Sequence, residues 1–466
     1  MLESSKAMAH VTVALDRRFV LKGLLAASAT AVAAPRRALA QTGADAILLS
    51  VADLHSPYAR LPQLVAQVRA LVAEADVPVA MIVNGDLFER GNVAATRSMG
   101  KVDLAALRAL AREVPVVVNL GNHETAIFDD MAQFVAEATA AGAQVIGNLI
   151  DRRTGRFFAP ISTRLGLGGL DLALLGIGVD NAFVYRKPAR DTLTLLDPVA
   201  FTAEAFADAT AGADLPVLVS HAGVTPDRAI LPTLAENTLV IGAHDHLDFV
   251  HQEPGKTYFH AGAWSRTLAV LHLTRSGAGV AVRPELRAIA TSGGDADLAA
   301  LIAGVEAEHL TEEDRAVITE RAVALDLPAS ILLATEAVRQ ATQADLAVLG
   351  HTTFGAPLDA GPLRRYDFDA FVRFDGDLVV AEVPGTVLAT ILGRANQHLA
   401  TRLDQRTGDF IHAAEIVIDP ARTYRLATNG WTAQNQQSYL GTADLAFAEA
   451  GLQLKAVVAA ALAAGL

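Results

Sequence analysis

The sequence predicts a layered α/β domain followed by a second, smaller α/β domain. Two observations carry the first part. From Ala46 onward, short apolar runs alternate with segments whose apolar residues recur at helical spacing. The runs also end repeatedly in Asp, His or Asn, at the place where open α/β sheets present their ligands. A boundary is marked by a shift of composition near Ser292-Gly293-Gly294-Asp295, after which helical, acid-rich sequence runs to about Leu327.

Taken in order, Ala46 to Val51 reads as a strand. Leu61, Leu64, Val65, Val68, Leu71 and Val72 mark a helix, and Val79 to Val83 the next strand. Leu104 to Ala111 is helical before the β-branched run Val116 to Val118, which suits a strand buried on both faces. Further strands fit Ala143–Ile146, Leu170–Gly176, Val217–Val219, Leu239–Ile241 and Leu268–Leu273. Alternation of this kind implies helices packed outside the sheets, in a domain spanning about residues 45–290. Residues 291–329 are acid-rich and helical in pattern; the family resemblance given below implies a helical linker there and a smaller substrate-binding domain over residues 330–466.

Composition narrows the chemistry. Of 466 residues, 52% are apolar and 19% charged, so sizeable cores can be buried. Net charge is -13, and the first 40 residues hold six basic and two acidic side chains, leaving the remainder near -17. That balance argues against nucleic-acid polymers or anionic membranes as partners. There is no cysteine, so disulfides and thiolate ligands are excluded. Any metal must sit on His, Asp, Glu, Asn or water, which favours Mn, Zn, Fe or Mg over softer ions.

The first 40 residues read as a targeting segment. Asp16-Arg17-Arg18-Phe19-Val20-Leu21-Lys22 resembles a twin-arginine export signature. An apolar run from Gly23 to Ala34 follows, then Arg36-Arg37 and an A-x-A site at Ala38-Leu39-Ala40. Passage through the twin-arginine export machinery and a periplasmic or secreted location are expected, with no stable membrane association after cleavage.

Five polar sets lie beyond apolar runs: Asp53-Leu54-His55, Gly85-Asp86, Gly121-Asn122-His123-Glu124, Ser220-His221, and Gly242-Ala243-His244-Asp245-His246. If they gather at one rim, the imidazoles, carboxylates and amide exceed what one ion needs. They suit two ions sharing a carboxylate.

These blocks, in this order and spacing, resemble the calcineurin-like metallophosphoesterases, and more narrowly their 5'-nucleotidase family. Gln144-Val145-Ile146-Gly147-Asn148-Leu149 and His260-Ala261-Gly262-Ala263-Trp264 add to the likeness. The resemblance implies a four-layer α/β/β/α sandwich. It implies that Asp53, His55, Asp86 and His246 hold one divalent metal ion, and Asp86, Asn122, His221 and His244 the other. His123 would stabilise the transition state or protonate the leaving alkoxide. The family often has an Asp two residues past the Glu to orient that histidine. Here Thr125-Ala126-Ile127-Phe128 intervenes, so Asp129 either does that work or caps the helix beginning near Met131.

In the second domain, the resemblance places nucleobase-stacking aromatics at Phe374 and Trp431. Stacking on both faces of a flat ring needs two such side chains. The family's polar readers are replaced by Gly376 and Gln437, and its arginine motif by Gly350-His351-Thr352-Thr353-Phe354-Gly355. Arg364 and Arg365 are candidate substitutes. The expected activity is dimetal hydrolysis of a small phosphate ester, of 5'-nucleotidase type. A thiosulfohydrolase of the sulfur-oxidation type and a non-catalytic periplasmic binding protein are the alternatives.

Overall fold

The computed structural model describes residues 43–277 and 279–466. The export signature therefore lies outside the described residues, among which no helix is long and apolar enough to cross a membrane.

Two six-stranded sheets form the first half. In one, the strands Ala46–Ala52, Val79–Asn84, Val116–Asn119 and Gln144–Ile146 run parallel, and Thr267–Ser276 and Gly279–Ala288 extend it antiparallel. The other has the parallel strands Leu170–Gly178, Leu215–His221, Thr238–Gly242 and Lys256–Ala261, edged by antiparallel Ser162–Leu167 and Asp248–Glu253. Alternation along each strand decides what it touches. Ala46 and Leu48 meet Val217, Val219 and Ile241 in the core between the sheets. Leu175, Leu218 and Val240 point outward to Phe206 and Val224, on the helices Pro198–Ala209 and Val224–Ile230. The helices Leu61–Glu74 and Lys101–Glu113 bury the apolar stripes expected of them, Leu64, Val65, Val68 and Leu71 in the former. The domain is a four-layer α/β/β/α sandwich.

The segment expected to be a helical linker departs from that expectation. The helix Ala296–His309 packs back on the first domain, where Arg69 pairs with Asp295 at 2.8 Å and Arg97 donates to the carbonyl of His309 at 2.5 Å. A short helix, Glu312–Arg315, follows under a Thr311–Asp314 capping box. Val317–Arg321 is then a strand paired with Gly361–Arg364. Val317, Ile318 and Thr319 are β-branched, and such a run favours a strand over a helix.

The second half is built on a five-stranded sheet, ordered Ile411–Ala413, Leu346–Gly350, Thr423–Asn429, Asp377–Pro384, Ala448–Gln453. The helices Leu327–Thr342 and Leu454–Ala463 cover one face, through Ile331, Val338, Leu454 and Val458. Leu388, Ile391 and Leu440 cover the other. The described residues form one compact unit, so the second sheet system is packed on the first.

Candidate metal centre

The polar residues at the strand ends meet at one rim. Asp53 and His55 follow Ala46–Ala52, Asp86 follows Val79–Asn84, and Asn122 and His123 follow Val116–Asn119. His221 ends its own strand, and His244 and His246 follow Thr238–Gly242. Leaving a strand so abruptly bends the backbone. Asp53, His55, Asp86, His244 and His246 all have φ between 49° and 82°. Left-handed conformations at non-glycine residues cost about 1–3 kcal/mol each and cluster where function holds them.

Among the described residues the donor atoms form overlapping groups, one of them His55, Asp86 and His123, with a further group on either side. The ligand atoms of Asp53, His55 and His246 lie within 4.8 Å of one another, and so do those of Asp86, His221 and His244. Asp86 stands between them. Its Oδ2 is 3.7 Å from His55 Nε2, and its Oδ1 is 3.2 Å from His221 Nε2. The backbone N–H of His123 donates to Oδ1 at 2.7 Å and fixes the carboxylate's rotation.

Divalent cations fit this donor set. Asn122 donates its amide to the carbonyl of Val184 at 3.3 Å, leaving Oδ1 buried without a partner. His221 Nδ1 lies 2.9 Å from the carbonyl of Asn84, so Nδ1 carries the proton and Nε2 faces the pocket unpartnered. His244 Nδ1 is likewise without a partner. On the other side, Nε2 of His55 and of His246 converge to 2.8 Å. Buried polar atoms of native proteins are nearly always satisfied, so the three orphaned atoms of Asn122, His221 and His244 point to a bound cation.

The electrostatics agree. Burial pushes Asp53 well above the usual carboxylate range. Burial would raise Asp86 as well, but the imidazoles of His221, His123 and His55 hold it well below that range. Burial lowers His221, yet Asp86 and Asp53 outweigh it and carry that imidazole up to about 10. Burial keeps His55 and His246 neutral and, with His221, pushes His244 down to about 3. Buried carboxylates in want of positive charge, with the imidazoles of His55, His244 and His246 kept neutral by burial, make a site for divalent ions of the hard to borderline kind.

The remaining candidates are placed differently. His123 borders the site, its ring centroid 4.7 Å from that of His55. Asp129 does not lie beside it. The intervening residues 125–128 carry Asp129 to the surface, where it pairs with Arg186 at 2.9 Å, and Asp130 caps the helix Met131–Ala140. The carboxylate nearest His123 Nδ1 is that of Glu89, at 3.8 Å, fully buried. Phe374, half-exposed, has its ring centroid 6.4 Å from that of His123. Trp431, also half-exposed, reaches Tyr439 OH through Nε1 at 3.4 Å. Arg364 pairs with Asp367 within its own segment.

Three residues beside the site had gone unassigned. Glu89 stands three positions after Asp86. Trp264 stacks on His55 at 5.4 Å, and its backbone N–H donates to the carbonyl of Asp53 at 2.9 Å. Arg373 reaches in from the second domain with its side chain only 2% exposed. Its adjacency to Phe374 was the one available signal.

A layered fold with a carboxylate set between two groups of imidazoles is the architecture of a metal-dependent phosphoester hydrolase. Residues 48–248 match the calcineurin-like phosphoesterase family. A curated Bacillus subtilis protein, the uncharacterized metallophosphoesterase YunD, is 24% identical over 204 residues. The match spans 42% of either chain, well under two thirds of that relative's length. Among solved structures, a 5'-nucleotidase precursor of Thermus thermophilus shares the fold over 90% of this chain and 96% of its own, at 18% identity and TM-score 0.61. The sulfate thiohydrolase SoxB of the same organism does so over 90% and 94%, at 16% identity and TM-score 0.63. The likeness in fold thus extends through the second domain.

Proposed function

We propose that the chain hydrolyses small phosphate esters, of the 5'-nucleotidase kind, with two divalent cations held by Asp53, His55, Asp86 and His246 and by Asp86, Asn122, His221 and His244. The observation that carries this reading is the Asp86 carboxylate, one oxygen facing each group of donors. Cations so held lower the pKa of a shared water and neutralise charge on the phosphoryl group. His123, kept neutral by burial, stands at the edge of the site to exchange a proton with the departing oxygen. Phe374 and Trp431 supply apolar faces for a base. The resemblance of Asp16 to Lys22 to an export signature supports a reaction outside the cytoplasm.

Treatment with a chelator is expected to abolish hydrolysis of p-nitrophenyl phosphate, and Mn or Zn to restore it. Activity indifferent to chelation would sink the two-cation reading. Trp431→Ala should raise KM for a nucleoside monophosphate about tenfold, as the loss of one stacking partner implies, while sparing the simple ester. Equal kinetics on both substrates would remove base stacking. A thiosulfohydrolase reading rests on the likeness to SoxB and on the replacement of the nucleotide readers by Gly376 and Gln437. Release of sulfate from a thiosulfonated peptide would favour it.

A further inference from the structure

Two amides lie in the apolar core directly beneath the site. Asn84 and Asn119 end adjacent parallel strands as register partners, both fully buried. They continue the faces that carry Ile82 and Val117 into the space between the sheets. Asn119 Nδ2 meets Asn84 Oδ1 at 2.9 Å, the carbonyl of Ile177 at 3.0 Å and that of Val219 at 3.1 Å. Asn84 Nδ2 donates to the carbonyls of Ser220 and Ile241, each at 2.9 Å. Every one of these contacts is to an acceptor, which settles how both amides are turned. The opposite sheet makes room for them: a methyl group on Gly176 would fall 2.5 Å from Asn119 Oδ1.

Hydrogen bonds of this kind add little net stability over the apolar side chains that fill the rest of the core. What they add is direction. Apolar contact is non-directional and lets two sheets slide, whereas an amide holds a carbonyl at one distance and angle. The bonded positions also lead straight into ligands. Asn84 is two residues before Asp86, Asn119 three before Asn122, Ser220 one before His221 and Ile241 three before His244. The backbone carbonyl of Asn84 in turn accepts from His221 Nδ1 at 2.9 Å. Four donors of one cation set are thus tied to the pair, two from each sheet. Asp53 and His55 follow a strand to which neither amide side chain bonds among the described residues. They are held instead through their own N–H groups, Asp53 to the carbonyl of Gly85 at 3.2 Å and His55 to that of Asp86 at 2.9 Å.

We propose that Asn84 and Asn119 are positioning residues, which fix the two sheets against each other at the rim and so set the affinity for the cation of Asp86, Asn122, His221 and His244. The cation of Asp53, His55 and His246 shares only Asp86 with that set and depends on the pair little. This rests on the two-cation reading and deepens it.

The test titrates metal-free wild type, Asn84→Ala and Asn119→Ala with Mn. Calorimetry counts the bound ions, and electron paramagnetic resonance follows the spin coupling of a paired site. Val217→Ala, which loosens the same core and leaves both amides in place, is the control. Wild type is expected to bind two Mn per chain with a coupled signal. Each amide variant should bind one ion at wild-type affinity and the other about 10–100-fold more weakly, the usual cost of losing a group that orients a ligand. The coupled signal should then appear only at the higher Mn concentration, and Val217→Ala should keep both affinities. Unchanged binding in the amide variants, equal weakening of both ions, or the same selective loss in Val217→Ala overturns the assignment. If neither amide variant folds, isotope-labelled wild type titrated with Zn decides by magnetic resonance. The side-chain N–H signals of Asn84 and Asn119 should move with the imidazole signals of His221 and His244. Signals that move with His55 and His246 as well, or not at all, refute the role. A wild type that binds fewer than two cations overturns the two-cation reading instead.

Discussion

Asp86→Ala should abolish turnover and lower the number of cations the protein retains. Asp86 is 1% exposed and faces both groups of donors, 3.7 Å from His55 Nε2 and 3.2 Å from His221 Nε2. No neighbouring acid can replace it. Asp53 serves the other side and accepts the backbone N–H of His244 at 3.0 Å, and Glu124 is held protonated, pushed up to about 8 by burial and by Asp86 itself. Removing the shared carboxylate takes away several kcal/mol of the charge stabilisation that cations lend a phosphoryl transition state, about a thousandfold or more in kcat/KM. Metal analysis of the purified variant and kcat/KM on p-nitrophenyl phosphate check both halves. A variant with two bound cations per chain and wild-type kinetics contradicts the shared position of Asp86.

The proposed ligand residues were legible because each sits where a short apolar run stops, and the period of a buried strand is a local property. The sandwich was legible for the same reason. What lay beyond reach depends on the meeting of distant segments. Glu89 becomes a neighbour of His123 only once its loop folds over the rim. Arg373 arrives from a domain more than 200 residues further on, and nothing near it in sequence shows that its head will be buried. Asp129 illustrates the converse. Its place in the chain suggested a partner for His123, but the short turn His123–Ala126 carries it outward to Arg186. The strand Val317–Arg321 was obscured by its acidic flanks, although three β-branched residues in a row were the truer signal.

The second large effect is expected at a residue that touches no substrate. Gly121 separates the strand Val116–Asn119 from Asn122, and its Cα lies against the base of the Asp86 loop. A methyl group there would fall 2.4 Å from Asp86 Oδ1, 2.6 Å from the Asp86 backbone nitrogen and 2.9 Å from His221 Cε1. Two of these neighbours are ligand side chains and the third is backbone, so none can withdraw cheaply. Facing it, Gly85 has φ of 70° and is pressed against the Cα of Gly121, so the two glycines let adjacent strand ends approach closely enough to share one carboxylate. Gly121→Ala should thus destabilise the fold by about 1–3 kcal/mol through overpacking. A ligand displacement near 1 Å should lower kcat/KM about 100-fold in addition. Gly166→Ala is the control, because a methyl group there meets nothing within 4 Å. The checks are thermal unfolding with kcat/KM at saturating Mn. If Gly121→Ala matches the Gly166→Ala protein in both, the position of Asp86 is not set by this backbone contact, and the carboxylate must be held by the cations alone.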